Sequence, residues 1–138
     1  MTESVRRLDY FAVNVAHQPG EGARLLEALA DLGVNFHAFT GFPGDGDHAQ
    51  LDFVPEDSEA FLEAARQADL EPRGPTSVFL IQGEDRKGAV ARVVKRLADQ
   101  RINITAIDAV ASGEGRYGAI LWVKPEDVER AAKALKAE

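Results

Sequence analysis

Two short loops carry the residues best suited to holding a small charged molecule. Each loop ends in a glycine, Gly20 in the first and Gly88 in the second, and an apolar pattern with helical spacing follows each one. Glycine lets a ligand approach the backbone, and the N-terminus of a helix offers N–H groups and partial positive charge to a carboxylate. Asn35 and Asn103, in identical contexts where a second strand begins, are expected to lie near these glycines and suit a ligand's ammonium or carboxylate group. The alternatives are a helix start without a ligand and amides that satisfy the turn backbone.

Further polar side chains accompany the two loops at matching positions. Asn14, His17 and Gln18 belong to the first loop, and Gln82 and Asp85 belong to the second. His17 at the position equivalent to Asp85 would let two similar sites discriminate between ligands. Exposed loop polarity with no ligand is the alternative.

Other kinds of site chemistry find little support in the sequence. His17, His37 and His48, taken with Asp45 and Asp47, match no metal-binding spacing, and the two aspartates are typical turn formers. The chain has no cysteine, so thiolate ligands and a cysteine nucleophile are excluded. It also has no nucleophile elbow, phosphate loop or dinucleotide fingerprint. We therefore predict no catalytic residue, no metal and no cofactor.

An internal repeat indicates which elements position the loops. With an offset of 68, residues 11–39 lie over residues 79–107 without a gap, and nine of these 29 positions are identical. Two residues are then added, and the sequence Pro-Glu-Asp at 55–57 falls on Pro-Glu-Asp at 125–127. On this alignment Trp122 lies over Asp52, so one strand face is polar in one copy and apolar in the other. Two matches separated by one shared insertion indicate a duplication.

Each copy has the pattern strand, helix, strand, strand, helix. Runs rich in β-branched and aromatic residues predict strands at 8–15, 34–39 and 49–54 in the first copy and at 78–82, 102–110 and 117–123 in the second. Apolar residues three and four apart predict helices after Gly20, which Gly33 ends, and after Gly88, and second helices that open at 55–57 and 125–127. Glycine-rich hairpins at 44–47 and 112–115 join the second and third strands.

A fourth strand is predicted at 70–73, just before Gly74-Pro75, to close the first copy. The second copy has no equivalent after its last helix, and the offset places residues 3–5 over residues 71–73. We therefore expect residues 2–7 to supply the fourth strand of the second copy. The fold class is then α/β, an α+β sandwich of two ferredoxin-like βαββαβ units with antiparallel sheets.

The two copies resemble the ACT domain. The segments PGEGARLLEALADLGVNFHAF and KGAVARVVKRLADQRINITAI are similar to its pattern of a polar loop ending in glycine, a helix, and a Gly-Ile-Asn-Ile-like entry into the second strand. The resemblance covers nearly the whole chain and implies two tandem ACT domains, residues 1–74 and 75–138. It also implies a non-catalytic regulator or sensor of amino-acid metabolism that pairs side by side as a homodimer, binds an amino acid or similar small ligand at a domain interface, and acts on a metabolic enzyme.

The ligand-binding positions that the resemblance implies are the loop residues and the strand entries. They are Asn14, His17, Gln18, Gly20, Asn35, Phe36, Asp85, Gly88, Asn103 and Ile104. The second copy departs from the pattern with Lys87 in place of Pro19 and Arg101 in place of Gly33. We therefore expect the two sites to differ in affinity.

The charge distribution narrows the choice of partner. The net charge is −7: residues 1–74 carry 5 Lys/Arg and 14 Asp/Glu, for −9, and residues 75–138 carry 11 and 9, for +2. An acidic chain argues against nucleic acid as a partner, and no apolar run reaches the roughly 18 residues of a membrane helix. We expect a cytoplasmic protein that binds neither nucleic acid nor membrane.

Three other functions fit the same topology. An acylphosphatase-like hydrolase would need an arginine in the first strand–helix loop, but Arg24 and Arg92 lie inside predicted helices. An RNA-recognition module would need aromatic residues within a basic sheet face, which the charge opposes. A ligand-free oligomerisation or protein-interaction module is the principal alternative, and only a binding measurement separates it from an amino-acid sensor.

Overall fold

A computed structural model describes residues 3–138 of the chain, which form six strands and four α-helices. In chain order these are β1 (Ser4–Ala16), α1 (Glu21–Asp31), β2 (Phe36–Pro43), β3 (His48–Pro55), α2 (Ser58–Gln67), β4 (Arg73–Glu84), α3 (Ala89–Asp99), β5 (Ile104–Gly113), β6 (Arg116–Val123) and α4 (Val128–Leu135). A 3₁₀ turn, Pro125–Asp127, directly precedes α4.

The chain divides into two halves, and the two longest strands, β1 and β4, contribute residues to both. Asp9–Thr76 form one half, called the 9–76 half, and Ser77–Glu138 together with the segment ending at Leu8 form the other, called the 77–138 half. Strand order is β2-β3-β1-β4 in the first and β1-β4-β6-β5 in the second. The 9–76 half has the βαββαβ order of the ferredoxin-like fold, and the 77–138 half has the same strand arrangement with its fourth strand taken from the start of β1, as predicted.

The N-terminal part of β1 supplies the fourth strand of the 77–138 half, which confirms the prediction. The backbone N–H of Arg7 donates to the carbonyl of Glu138 at 2.9 Å, and the N–H of Glu138 donates to the carbonyl of Val5 at 2.9 Å. The Arg7 guanidinium donates to Ser77 Oγ at 3.1 Å and to Glu129 Oε2 at 2.7 Å. Of the predicted strand residues 2–7, residues 4–7 belong to β1, Glu3 precedes it, and residue 2 lies outside the described residues.

The predicted closing strand at 70–73 is wrong in position. β4 begins only at Arg73 and runs through Gly74-Pro75 to Glu84. Residues 68–70 instead complete the end of α2: Asp69 has a φ of 59°, and the N–H of Leu70 donates to the carbonyl of Ala65 at 2.8 Å. The backbone of Leu70 is thus committed to the helix end and cannot start a strand.

Strand register shows that the offset of 68 continues into the third strand of each copy. Phe11 pairs with Phe53 where β1 meets β3, and Phe79 pairs with Leu121 where β4 meets β6. The two extra residues of the second copy therefore lie between β6 and α4.

This register corrects one equivalence between the copies. Asp52 corresponds to Ile120, and Trp122 corresponds to Val54, so the predicted match of Trp122 with Asp52 is wrong. The contrast between a polar and an apolar strand face remains, but it is a contrast between Asp52 and Ile120.

The second helices also begin differently from the prediction. Pro55 still belongs to β3, and Asp57 is the N-cap of α2, where its side chain accepts a hydrogen bond from the N–H of Ala60 at 3.1 Å. An aspartate cap satisfies a first-turn N–H that would otherwise lack a partner. Proline at 125 opens the short 3₁₀ turn rather than α4 itself.

Each half has its own hydrophobic core between its helices and one face of its strands. In the 9–76 half the ring centroid of Phe61 lies 5.1 Å from that of Phe11 and 5.3 Å from that of Phe53, and all three side chains are at most 1% exposed. In the 77–138 half the corresponding residues are aliphatic apart from Phe79, and the core includes Leu97 and Leu121. Because strand side chains alternate, the neighbours of these core residues point to the opposite sheet face.

Candidate functional site

The two glycine loops have the same backbone geometry. Gly20 is the N-cap of α1 with φ 90° and ψ −15°, and Gly88 is the N-cap of α3 with φ 81° and ψ 6°. Both conformations are left-handed, which glycine adopts at little cost. No side chain caps either helix. The N–H groups of Glu21 and Ala89 donate to the carbonyls of Gln18 and Arg86, at 3.3 and 3.0 Å. The next two N–H groups of each helix are available to an anion.

The side chains around the two glycines differ in charge. In α1 the Glu21 carboxylate accepts a hydrogen bond from the Arg24 guanidinium at 2.8 Å. In α3 the residue equivalent to Glu21 is Ala89, and the first turn carries no acid. A Cβ at Gly88 would lie 3.3 Å from Nη1 of Arg92, the equivalent of Arg24. The start of α3 is therefore more cationic than the start of α1.

In the 9–76 half the glycine loop adjoins the hairpin between β2 and β3. The backbone N–H of His17 donates to the carbonyl of Asp47 at 2.7 Å, and Ala16 pairs with His48. His17 and Gln18 are exposed in this loop. The 77–138 half repeats the arrangement, since the N–H of the exposed Asp85 donates to the carbonyl of Gly115 at 2.8 Å.

A recess of about 620 Å³ opens at this end of the 9–76 half. Its lining consists of Asn14, Gly44, Asp45, His48 and Gln50. Asn14 and Gln50 are a register pair of β1 and β3 and lie on the sheet face opposite the aromatic core. Of the predicted ligand-binding residues, the recess includes Asn14. Sequence reasoning missed Gln50, interpreted Asp45 as a turn former and considered His48 only as a metal ligand.

A buried carboxylate lies on the same face, two residues beyond Gln50. Asp52 is 6% exposed, and its Oδ1 accepts a hydrogen bond from Nε2 of Gln50 at 2.9 Å. The Arg73 guanidinium donates to Oε1 of Gln50 at 3.3 Å. Burial raises the pKa of Asp52, while the Gln50 hydrogen bond and the charge of Arg73 oppose that rise. Burial, followed by the charge of Asp52, raises the pKa of Tyr10 on the neighbouring strand.

Asn35 lies far from Gly20 within its own half. Phe36 pairs with Pro55 at the end of β3 that is remote from the hairpin, and the carbonyl of Asn35 accepts a hydrogen bond from the N–H of Glu56 at 3.0 Å. The whole length of α1 separates this end from Gly20. The expectation that glycine and asparagine lie close together in one unit is therefore wrong.

The 77–138 half separates Asn103 from Gly88 in the same way. Ile104 pairs with Val123 at the far end of β6, whereas Glu84 pairs with Arg116 at the end that adjoins the loop. Asn35 and Asn103 are both exposed.

The residues that follow the two asparagines contribute to the cores. The Phe36 ring lies 5.1 Å from that of Phe53, and Ile104 packs against the core of its half. Both are partly exposed, so contact with a ligand remains a prediction for each.

Residues 3–138 contain neither a cluster of metal-ligating side chains nor a helix that could span a membrane. No three His, Asp or Glu side chains in this range lie close enough together to share a metal ion. Over the same range, the helices all fall short of the length and apolar character needed to cross a membrane.

Comparison with known proteins finds one family and several solved structures. The family model for the ACT domain matches residues 77–138, just under half of the chain. No curated protein sequence matches the chain.

Solved structures share the fold at low sequence identity. A protein from Bacteroides thetaiotaomicron superposes with a TM-score of 0.79 at 18% identity, over 97% of this chain and 88% of that one. The regulatory subunit of aspartate kinase from Thermus thermophilus gives 0.64 at 18% identity, and that from Thermus flavus gives 0.62 at 22%; each match covers 99% of this chain and 95% of the other. The fold is therefore the ferredoxin-like α/β fold of ACT domains.

Proposed function

We propose that this chain is a non-catalytic regulatory protein that binds a free amino acid or a similar small ligand. The observation that carries the proposal is the repeated left-handed glycine, Gly20 and Gly88, at two helix starts that no side chain caps. The ACT domain at 77–138 and the fold shared with regulatory subunits of aspartate kinase support it. We further propose that residues 1–74 and 75–138 are tandem ACT domains, and that the chain is a cytoplasmic homodimer that modulates a metabolic enzyme.

The ligand carboxylate would accept hydrogen bonds from the first-turn N–H groups of α1 or α3. Asn14, His17 and Gln18 would surround it in one half, and Asp85 would in the other. The strand entries, Asn35-Phe36 and Asn103-Ile104, lie at the far ends of their own halves. In a homodimer they would contact the same ligand from the second chain.

Blocking the helix starts should abolish stabilisation by the ligand. At a thousandfold excess over Kd, a ligand specific for the folded state stabilises it by about 4 kcal/mol, or a rise in Tm of about 10 °C for a chain of this size. Gly20→Asn and Gly88→Asn keep a residue that tolerates the left-handed conformation but place a side chain before the N–H groups. In a melting screen of the common amino acids, we expect the rise in Tm to fall below about 3 °C in the double variant.

Gly33→Asn provides the matched control. Gly33 has a φ of 85° with open space around its Cβ position, but it lies beyond the C-terminus of α1. This variant should keep the full response to the ligand. Equal responses in the double variant and the wild type would place the ligand elsewhere, and no response to any amino acid in the wild type would contradict the proposed function.

A ligand-free oligomerisation module is the second candidate, and the exposure of β5 favours it. β5 is the outermost strand of the 77–138 half, and Val110 on it is 66% exposed. Only one of its ten residues, Asp108, is charged. A long apolar edge strand is a template for pairing with another chain.

A lysine on this edge should weaken such pairing. If the edges of β5 join two copies, Val110→Lys should shift the mass in light scattering from twice the chain mass towards that of one chain. Leu62→Lys, at an exposed apolar residue of α2, provides the control and should leave the mass unchanged. A wild-type chain that is monomeric at all concentrations would contradict both this module and the proposed homodimer.

A further inference from the structure

We infer that the recess in the 9–76 half holds the ammonium group of the ligand, and that the equivalent place in the 77–138 half does not bind an ammonium group. The inference rests on the proposed function for the ligand being an amino acid. It goes further than that proposal because it assigns the ligand's ammonium group to the recess.

The lining of the recess is rich in groups that accept hydrogen bonds. Asp45 contributes a carboxylate, and Asn14 and Gln50 contribute amide oxygens, while none of the five lining residues carries a fixed positive charge. An ammonium group has three donors and no acceptor, and its hydrogen bonds to a carboxylate are charge-assisted and therefore strong. The volume of about 620 Å³ is within the range of small-molecule sites.

The amide of Gln50 is held in one orientation by its two partners. A carboxylate such as Asp52 can only accept, and a guanidinium such as Arg73 can only donate, so Nε2 must face Asp52 and Oε1 must face Arg73. The bond from Arg73 leaves one lone pair on Oε1 of Gln50 for a donor in the recess. Gln50 thus contacts the ligand, and Asp52 and Arg73 position it.

The equivalent place in the 77–138 half lacks two of these three groups. The offset of 68 sets Gly113 at the position of Asp45, Gly118 at that of Gln50 and Arg116 at that of His48, while Gln82 keeps an amide at the position of Asn14. The carboxylate and one amide are therefore absent there, and a cation is present. An ammonium group would be repelled where the 9–76 half attracts it.

The half that surrounds the recess carries a net negative charge, as does the recess itself through Asp45. Residues 9–76 contain three Lys or Arg and thirteen Asp or Glu, a net charge of −10. The remaining 70 residues carry thirteen Lys or Arg and ten Asp or Glu, a net charge of +3, and the two halves add to the total of −7. The field of the 9–76 half therefore attracts cationic groups.

The test compares amino acids with analogues that lack the ammonium group. Isothermal titration calorimetry is carried out with the common amino acids and with their 2-hydroxy-acid counterparts, on the wild type, Asp45→Asn and Glu114→Gln. Asn keeps the turn-forming character of position 45 but removes the charge. Glu114→Gln removes a carboxylate from the equivalent hairpin of the other half. We expect one amino acid per chain, about tenfold weaker binding of the hydroxy acid, and about tenfold weaker binding to Asp45→Asn, with Glu114→Gln unchanged.

The outcomes separate this inference from the proposed function. An amino acid that binds equally to Asp45→Asn and the wild type, or that binds at two equal sites per chain, overturns the inference and leaves the proposed function standing. If no amino acid binds, the proposed function fails, and ethanolamine is titrated into the ¹⁵N-labelled chain. Amide shifts at residues 14 and 44–50 that Asp45→Asn abolishes then support the recess as an amine site, and their absence overturns it.

Discussion

A chain shortened to begin at Leu8 is expected to unfold at a markedly lower urea concentration than the full chain. The truncation removes Val5 from the core of the 77–138 half and removes the fourth strand from its sheet. β4 is then left with an open edge, so we also expect the shortened chain to self-associate. Both effects arise because one strand, β1, serves both halves.

The main part of the loss comes from apolar burial. Val5 is 5% exposed, and full burial of a side chain of this size contributes about 1.5–3 kcal/mol. The hydrogen bonds between Glu138 and the Val5–Arg7 backbone are lost as well, at about 1 kcal/mol each. The exposed Arg7–Glu129 ion pair adds little. The total is about 3 kcal/mol or more, a large fraction of the stability of a small domain.

Urea unfolding and amide hydrogen exchange measure this effect. Val5→Ala, in the full chain, should reproduce the apolar part of the loss without opening the edge. Ser4→Ala, at the exposed neighbour of Val5, should leave the unfolding midpoint unchanged. If the shortened chain unfolds at the wild-type midpoint and keeps its oligomeric state, the N-terminal segment does not close the 77–138 half.

The sequence predicted the fold well because the fold depends on signals that occur twice. The helical spacing after Gly20 and Gly88 is a local signal, and so are the hairpin glycines. Each such signal in one copy is supported by its counterpart in the other. The position of the closing strand was not predictable in this way. Leu70 is apolar and suits a strand, but its backbone N–H donates to the end of α2. A local sequence pattern does not reveal that the helix end and the strand compete for the same residue.

The candidate site was predictable only where one segment builds it. The uncapped helix starts follow from a glycine and a helical pattern, and the structure contains both. The recess instead depends on register, because it joins Asn14 of β1 to Gln50 of β3, 36 positions later in the sequence. The burial of Asp52 was equally hidden, since the alternating pattern of β3 is compatible with an exposed carboxylate at that position.

Replacement of the Asp52 carboxylate is expected to stabilise the chain at neutral pH, by about 1 kcal/mol or more, since a charge buried at 6% exposure is costly. Asp52→Asn keeps an oxygen that accepts the Gln50 hydrogen bond and removes the charge. Burial raises the pKa of Asp52 in the folded state above the 3.8 of an unperturbed aspartate. The folded state therefore holds its proton more tightly than the unfolded state does.

The sign of the pH dependence follows from that difference. Below pH 3.8 Asp52 is protonated in both the folded and the unfolded state, so no charge is buried on folding. Between pH 3.8 and the folded-state pKa only the unfolded state ionises, so the free energy of unfolding falls as the pH rises. Urea unfolding of the wild type and Asp52→Asn from pH 3 to pH 8 should thus show an advantage of the variant that grows through this window and is then constant. Asp9→Asn, at an exposed carboxylate of β1, is the control for the removal of one negative charge from the chain. An advantage of Asp52→Asn that is constant or shrinks as the pH rises would mean that the Gln50 and Arg73 interactions outweigh the cost of burying the charge.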